Sequence, residues 1–114
     1  MKKLIVALFC GAVSLSASAG GDAARGAELA KKNNCASCHG ADFKTPIDPS
    51  YPKLAGQHAD YLVHALTSYQ RGNAGISGRN NPIMAGMAKP LSDQDKADIA
   101  AYLESLPGPL VTRK

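Results

Sequence analysis

Three stretches of the chain repeat small or apolar residues at helical spacing, and Gly-, Pro- and Asn-rich segments separate them. The first covers residues 22–32. Ala23, Gly26, Ala27 and Ala30 fall along one face at the offsets of an α-helix. Small residues there let another helix come close. Asp22 is placed to cap the N-terminus, and Lys31 and Lys32 occupy the last turn, where cations suit the helix dipole. Asn33-Asn34 then breaks the pattern.

The second stretch covers residues 58–71. Leu62, Ala65, Leu66 and Tyr69 form its apolar stripe, and Gly72-Asn73 ends it. The third covers residues 92–105, with Ile99, Tyr102, Leu103 and Leu106 as its stripe. Ser92 followed by Asp95 resembles a capping box with Asp in place of Glu, and Pro107-Gly108-Pro109 stops the helix. No segment alternates as a strand. The pattern therefore predicts an all-α domain of three main helices, with loops over residues 40–56 and 72–90. Loops this long are unusual in a small domain unless they wrap something.

The N-terminus reads differently. Met1-Lys2-Lys3 precedes an apolar run from Leu4 to Val13, and Ala17-Ser18-Ala19 follows. These are the three parts of a secretory signal peptide. The apolar run is too short, and too broken by serines, to span a bilayer needing about 20 residues. Bulky Phe9 before Cys10 argues against a lipid-modified cysteine. Cleavage is expected after Ala19, leaving residues 20–114, a single domain of 95 residues. With Lys2 and Lys3 gone, 11 basic residues face 9 acidic ones, a net +2 in place of +4. No basic run with interleaved aromatics is present, so nucleic acid is not an expected partner, and neither is stable membrane insertion.

The candidate chemistry lies at Cys35-Ala36-Ser37-Cys38-His39. A Cys-x-x-Cys-His run reads as c-type haem attachment: two thioethers to the haem vinyl groups, with the adjacent histidine on the iron. A zinc site usually needs a second ligand pair, and a thioredoxin-like dithiol is expected near a βαβ pattern. The sequence offers neither. One haem c per chain is therefore expected, with Cys35 and Cys38 as thioether residues and His39 as proximal ligand. Such attachment fits an exported, periplasmic protein. A low-spin carrier needs a second axial ligand, and methionine in that role raises the potential. Met84, Met87, His58 and His64 are the candidates. Both methionines precede the third helix, where a chain wrapping the haem edge brings one to the face opposite His39. His64 lies two residues from Leu62 and points away from the apolar stripe.

The order of these motifs resembles the class I c-type cytochromes. The haem motif comes first, then Pro52-Lys53-Leu54-Ala55-Gly56-Gln57, then a methionine segment and a C-terminal helix. Met84-Ala85-Gly86-Met87-Ala88-Lys89-Pro90-Leu91-Ser92-Asp93-Gln94-Asp95 is the most specific part, and it resembles single-haem bacterial carriers near the cytochrome c4 group. The resemblance covers residues 20–114. It implies that Met84 is the second axial ligand and that Met87 packs. It implies that the Pro52 carbonyl accepts a hydrogen bond from the non-ligating nitrogen of His39, orienting the ring. It implies that the first and third helices pack together, with Gly26 against Tyr102.

The function implied is single-electron transfer between respiratory redox partners, a reductase and a terminal oxidase or dehydrogenase, without catalysis of its own. The alternative is a haem subunit of a larger periplasmic dehydrogenase. A haem enzyme needs an open or displaceable sixth position, and a high-spin four-helix cytochrome places its haem motif near the C-terminus. The loop over residues 40–51 carries Lys44-Thr45-Pro46-Ile47-Asp48, which matches no motif.

Overall fold

The computed structural model describes residues 20–73 and 75–109. The leader expected over residues 1–19, with its cleavage site, lies outside the described residues. Among the described residues, five helical segments follow one another: α1 (Ala23–Lys32), α2 (Ala36–His39), α3 (Ala59–Arg71), α4 (Pro82–Ala88) and α5 (Asp93–Ser105). No strand occurs among the described residues.

The three predicted helices are α1, α3 and α5, each within a residue of its expected start. Asp22 caps α1 by accepting hydrogen bonds from the backbone N–H groups of Ala24 and Arg25. Ser92 and Asp95 form a complete, reciprocal capping box at α5. Gly72 ends α3 with φ of 56°, a left-handed conformation that favours glycine.

The short α4 corrects the expectation of a loop over residues 72–90, and α2 is a helical turn at the Cys-x-x-Cys-His run, outside both expected loops. The segment before Pro90 looked like loop because Gly, Pro and Asn crowd it. Those residues instead start a helix. Asn81 is the N-cap, its side chain accepting from the Met84 N–H at 3.0 Å, and Pro82 occupies the first turn, where its missing N–H costs nothing.

Helix α5 packs on both α1 and α3, and α3 also packs on α4. The α1–α5 crossing is close because Gly26 has no side chain. A Cβ built there would lie 1.9 Å from the Asp98 carbonyl oxygen and 2.9 Å from the Tyr102 Cβ. The expected Gly26–Tyr102 neighbourhood is thus present in a different form. Gly26 admits the α5 backbone, and the Tyr102 ring packs edge-on against Phe43, with centroids 5.9 Å apart. Ile99, Ala100 and Leu103 of α5 form the core with Ala30, Phe43, Ala55 and Leu62.

Asp98 ties the same crossing together and is only 1% exposed. It accepts from the Asp22 N–H at 2.7 Å, from Gln94 Nε2 at 2.8 Å and from the Arg25 guanidinium. Arg25 also reaches Asp95 at 2.8 Å. Burial pushes the Asp98 carboxyl up, but the hydrogen bonds from Asp22, Arg25 and Gln94 outweigh it and hold the group below the usual carboxylate range. Its folded pKa is therefore below the unfolded value of about 3.9. The stability it contributes is full above that value and fades as the pH falls through the folded one. Asp98→Asn is expected to lower the melting temperature at pH 7 and to flatten its decline below about pH 4. A series of melting curves from pH 2 to 7 checks both; an unchanged acid slope would remove Asp98 from the account.

Candidate haem site

The Cys-x-x-Cys-His segment folds as the single turn α2. A turn of helix places residues three apart on one side, so Cys35 and Cys38 share a face and His39 follows directly. The His39 N–H donates to the Cys35 carbonyl at 3.1 Å, and the Ile47 N–H donates to the Cys38 carbonyl at 3.1 Å. Gly40 closes the turn with φ of 89°, and a Cβ there would lie 2.1 Å from the Thr45 carbonyl oxygen. The unassigned loop is held by two carboxylates. Asp42 accepts from the backbone N–H groups of Lys44 and Thr45 and from the Thr45 hydroxyl. Asp48 accepts from the backbone and hydroxyl of Ser50.

His39 is 6% exposed. Its Nδ1 lies 2.9 Å from the Pro52 carbonyl oxygen. A carbonyl only accepts, so Nδ1 carries the proton and Nε2 is left with a free lone pair. Burial pushes the Cys35 thiol above its usual range. That is the reverse of the depressed pKa that makes a dithiol reactive.

These residues open onto a cavity of about 390 Å³ with largely apolar walls. Cys35, Cys38 and His39 line it, as do Leu62, Ala65 and Leu66 of α3, Ile83, Met84 and Met87 of α4, and Ile99 and Leu103 of α5. Both methionines therefore face the space that His39 faces. Met84 is half-buried, whereas Met87 is 37% exposed. His58 and His64 are exposed and are not among the lining residues.

Tyr61 and Arg79 also line the cavity and had not been singled out from sequence. Arg79 sits with its guanidinium carbon 5.5 Å from the ring centres of both Tyr61 and Tyr69, and donates to the Tyr61 hydroxyl at 3.1 Å. Those bonds raise its pKa further, so its charge is permanent. Tyr61, Ala65 and Tyr69 recur every four residues on α3, a signal that the sequence carried. Arg79 lies in a Gly- and Asn-rich loop with no local cue.

An apolar cavity with a Cys-x-x-Cys-His turn in its wall, a histidine with Nε2 free, and methionines across the same space has the donor set of a c-type haem pocket. The chain belongs to the cytochrome c family, whose model, described as "Cytochrome c", matches residues 23–107. Members of this family carry haem c covalently, and the donors present here fit it. The chain is 45% identical over 85 residues to cytochrome c-554(548) of Halomonas halodenitrificans, covering 75% of this chain and 96% of that one. It is 41% identical over 114 residues to cytochrome c4 of Stutzerimonas stutzeri, covering 95% of this chain and 52% of the relative. The crystal structure of reduced recombinant cytochrome c4 from Pseudomonas stutzeri matches 79% of this chain and 48% of its own, with a TM-score of 0.64 and 39% identity. The chain thus spans about half the length of the cytochrome c4 relatives and nearly all of the shorter one. The all-α class I fold follows from these matches.

Proposed function

We propose that this chain is a single-haem carrier that passes one electron at a time between redox proteins of the periplasm. The observation that carries the reading is the convergence of His39 and a methionine helix on one apolar cavity beside the paired cysteines. Cys35 and Cys38 would hold the haem through thioethers, His39 Nε2 would ligate the iron, and the Met84 sulfur would be its second ligand. The Pro52 carbonyl fixes the His39 ring and strengthens it as a ligand. The bound haem contributes the ferric–ferrous couple. The chain would contribute both ligands and a largely apolar cavity, so no coordination position would remain for a substrate. For that reason we read it as a carrier and not an enzyme.

Met84 is preferred to Met87 on two grounds. It is the more enclosed of the two methionines, and its backbone is pinned by the Asn81 side chain. Exposed Ile83 and Met87 border the cavity and offer apolar contact to a partner. The redox partners are read as a reductase on one side and a terminal oxidase or dehydrogenase on the other. The leader over residues 1–19 is the support for a periplasmic site. Among the described residues, no helix is long and apolar enough to cross a membrane.

The test is an optical spectrum of the full chain expressed with export and haem attachment. Haem that stays with the chain after denaturation, together with a near-infrared sulfur-to-iron band in the oxidised protein, is the expected result. Replacing both Cys35 and Cys38 with Ala should release the haem on denaturation. No covalent haem in the unaltered protein would refute the carrier reading.

A further inference from the structure

Lys96 is an anomaly on the buried side of α5. It stands three residues before Ile99 and seven before Leu103, in register with the apolar stripe, and it is 3% exposed. Its ammonium makes two hydrogen bonds and one ion pair. They reach Thr67 Oγ1 at 3.0 Å, Gln70 Oε1 at 2.8 Å and Asp93 Oδ1 at 2.9 Å. Gln70 continues the Leu62–Leu66 face of α3 in the same way, a polar residue where an apolar one is expected. Its amide nitrogen donates to the Ala88 carbonyl at 2.9 Å and to the Leu91 carbonyl at 2.7 Å.

These bonds form a directed relay. Lys96 can only donate, so it fixes the Gln70 oxygen toward itself. The Gln70 nitrogen is thereby turned toward Ala88 and Leu91. Ala88 is the last residue of α4, and its carbonyl, which has no helical partner, accepts from the Leu91 N–H at 3.0 Å as well as from Gln70. The other end of α4 is held by Asn81. Helix α4 is therefore anchored at both ends, and it carries Met84 and Met87. A single helix of seven residues has little rigidity of its own, so its position depends on these anchors.

We propose that Lys96 and Gln70 are positioning residues that set how firmly α4 holds its methionine on the iron. The proposal rests on the reading that a methionine of α4 is the second axial ligand. A weaker hold on that sulfur lets an added ligand replace it more readily, and the gain in apparent affinity equals the loss in methionine binding.

Imidazole, titrated into the oxidised holoprotein while the sulfur-to-iron band is followed, measures this directly. Gln70→Leu and Lys96→Met should each bind imidazole about tenfold more tightly than the unaltered protein, the size expected for losing a buried hydrogen-bond relay. Thr67→Val removes only one of the three Lys96 partners and should move affinity the same way by less. Arg25→Met cuts the separate α1–α5 network. It should lower the melting temperature and leave imidazole affinity unchanged. Equal tightening in Arg25→Met, or no tightening in Gln70→Leu and Thr67→Val, would overturn the proposal. A band missing from the unaltered protein would instead refute methionine ligation itself, and the clamp's role with it.

Discussion

Gly26→Ala is expected to lower the melting temperature of the holoprotein by roughly 5–20 °C, and Gly26→Leu to leave little folded holoprotein at all. Helix propensity alone says the opposite for alanine, which is favoured over glycine inside a helix by about 1 kcal/mol. Packing decides the sign. The added Cβ would lie 1.9 Å from the Asp98 carbonyl oxygen, and the listener on that side is α5 backbone, which cannot rotate away as a side chain can. Either the crossing opens or α1 shifts along α5. Both loosen the bonds that Asp98 receives from Asp22 and Arg25. Overpacking of this kind typically costs about 1–3 kcal/mol, a large part of the roughly 5–15 kcal/mol that holds a domain together. Gly86 is the internal control. It also lies inside a helix, but nothing approaches within 4 Å of its missing Cβ. Gly86→Ala should stabilise by about 0.5–1 kcal/mol. Calorimetry on the two alanine variants separates contact from propensity: a stabilised Gly26→Ala would contradict the close crossing.

The residues that sequence reading reached are those whose signal is local. Asp22, Ser92 and Asp95 cap because a side chain and a backbone N–H two or three residues on satisfy each other. Cys35, Cys38 and His39 form a contiguous motif. The small face of α1 foretold a close neighbour, although it did not say which atoms would fill the space. Helix α4 escaped because its capping residues, Asn81 and Pro82, are also turn residues, and the stretch around them is rich in glycine and asparagine. Arg79 and the Lys96–Gln70 relay escaped for another reason. Arg79 meets Tyr61 and Tyr69 across a chain reversal, and Lys96 meets residues 26 and 29 positions earlier. A lysine in an apolar stripe is the one trace such a contact leaves in sequence, and it marks a buried charge without naming its partners.

The methionine proposed as the second iron ligand gives the second large effect. Met84→Ala should abolish the sulfur-to-iron band and lower the reduction potential by on the order of 0.1 V or more, within the roughly 0.8 V that axial ligation spans. Met87→Ala should keep the band. Its side chain is 37% exposed, so the stability lost should fall well short of the roughly 2–5 kcal/mol that truncating a fully buried methionine costs. The two variants differ in kind and not only in size. A lost ligand changes the spectrum and potential at once, whereas a lost packing contact changes melting alone. Voltammetry and the near-infrared spectrum of both variants decide the assignment. The reversed pattern, with the band lost only in Met87→Ala, would move the ligand one turn along α4. The Lys96–Gln70 anchor at the Ala88 end would then sit beside the ligand instead of a turn away from it, and loosening that anchor should affect ligation more strongly still.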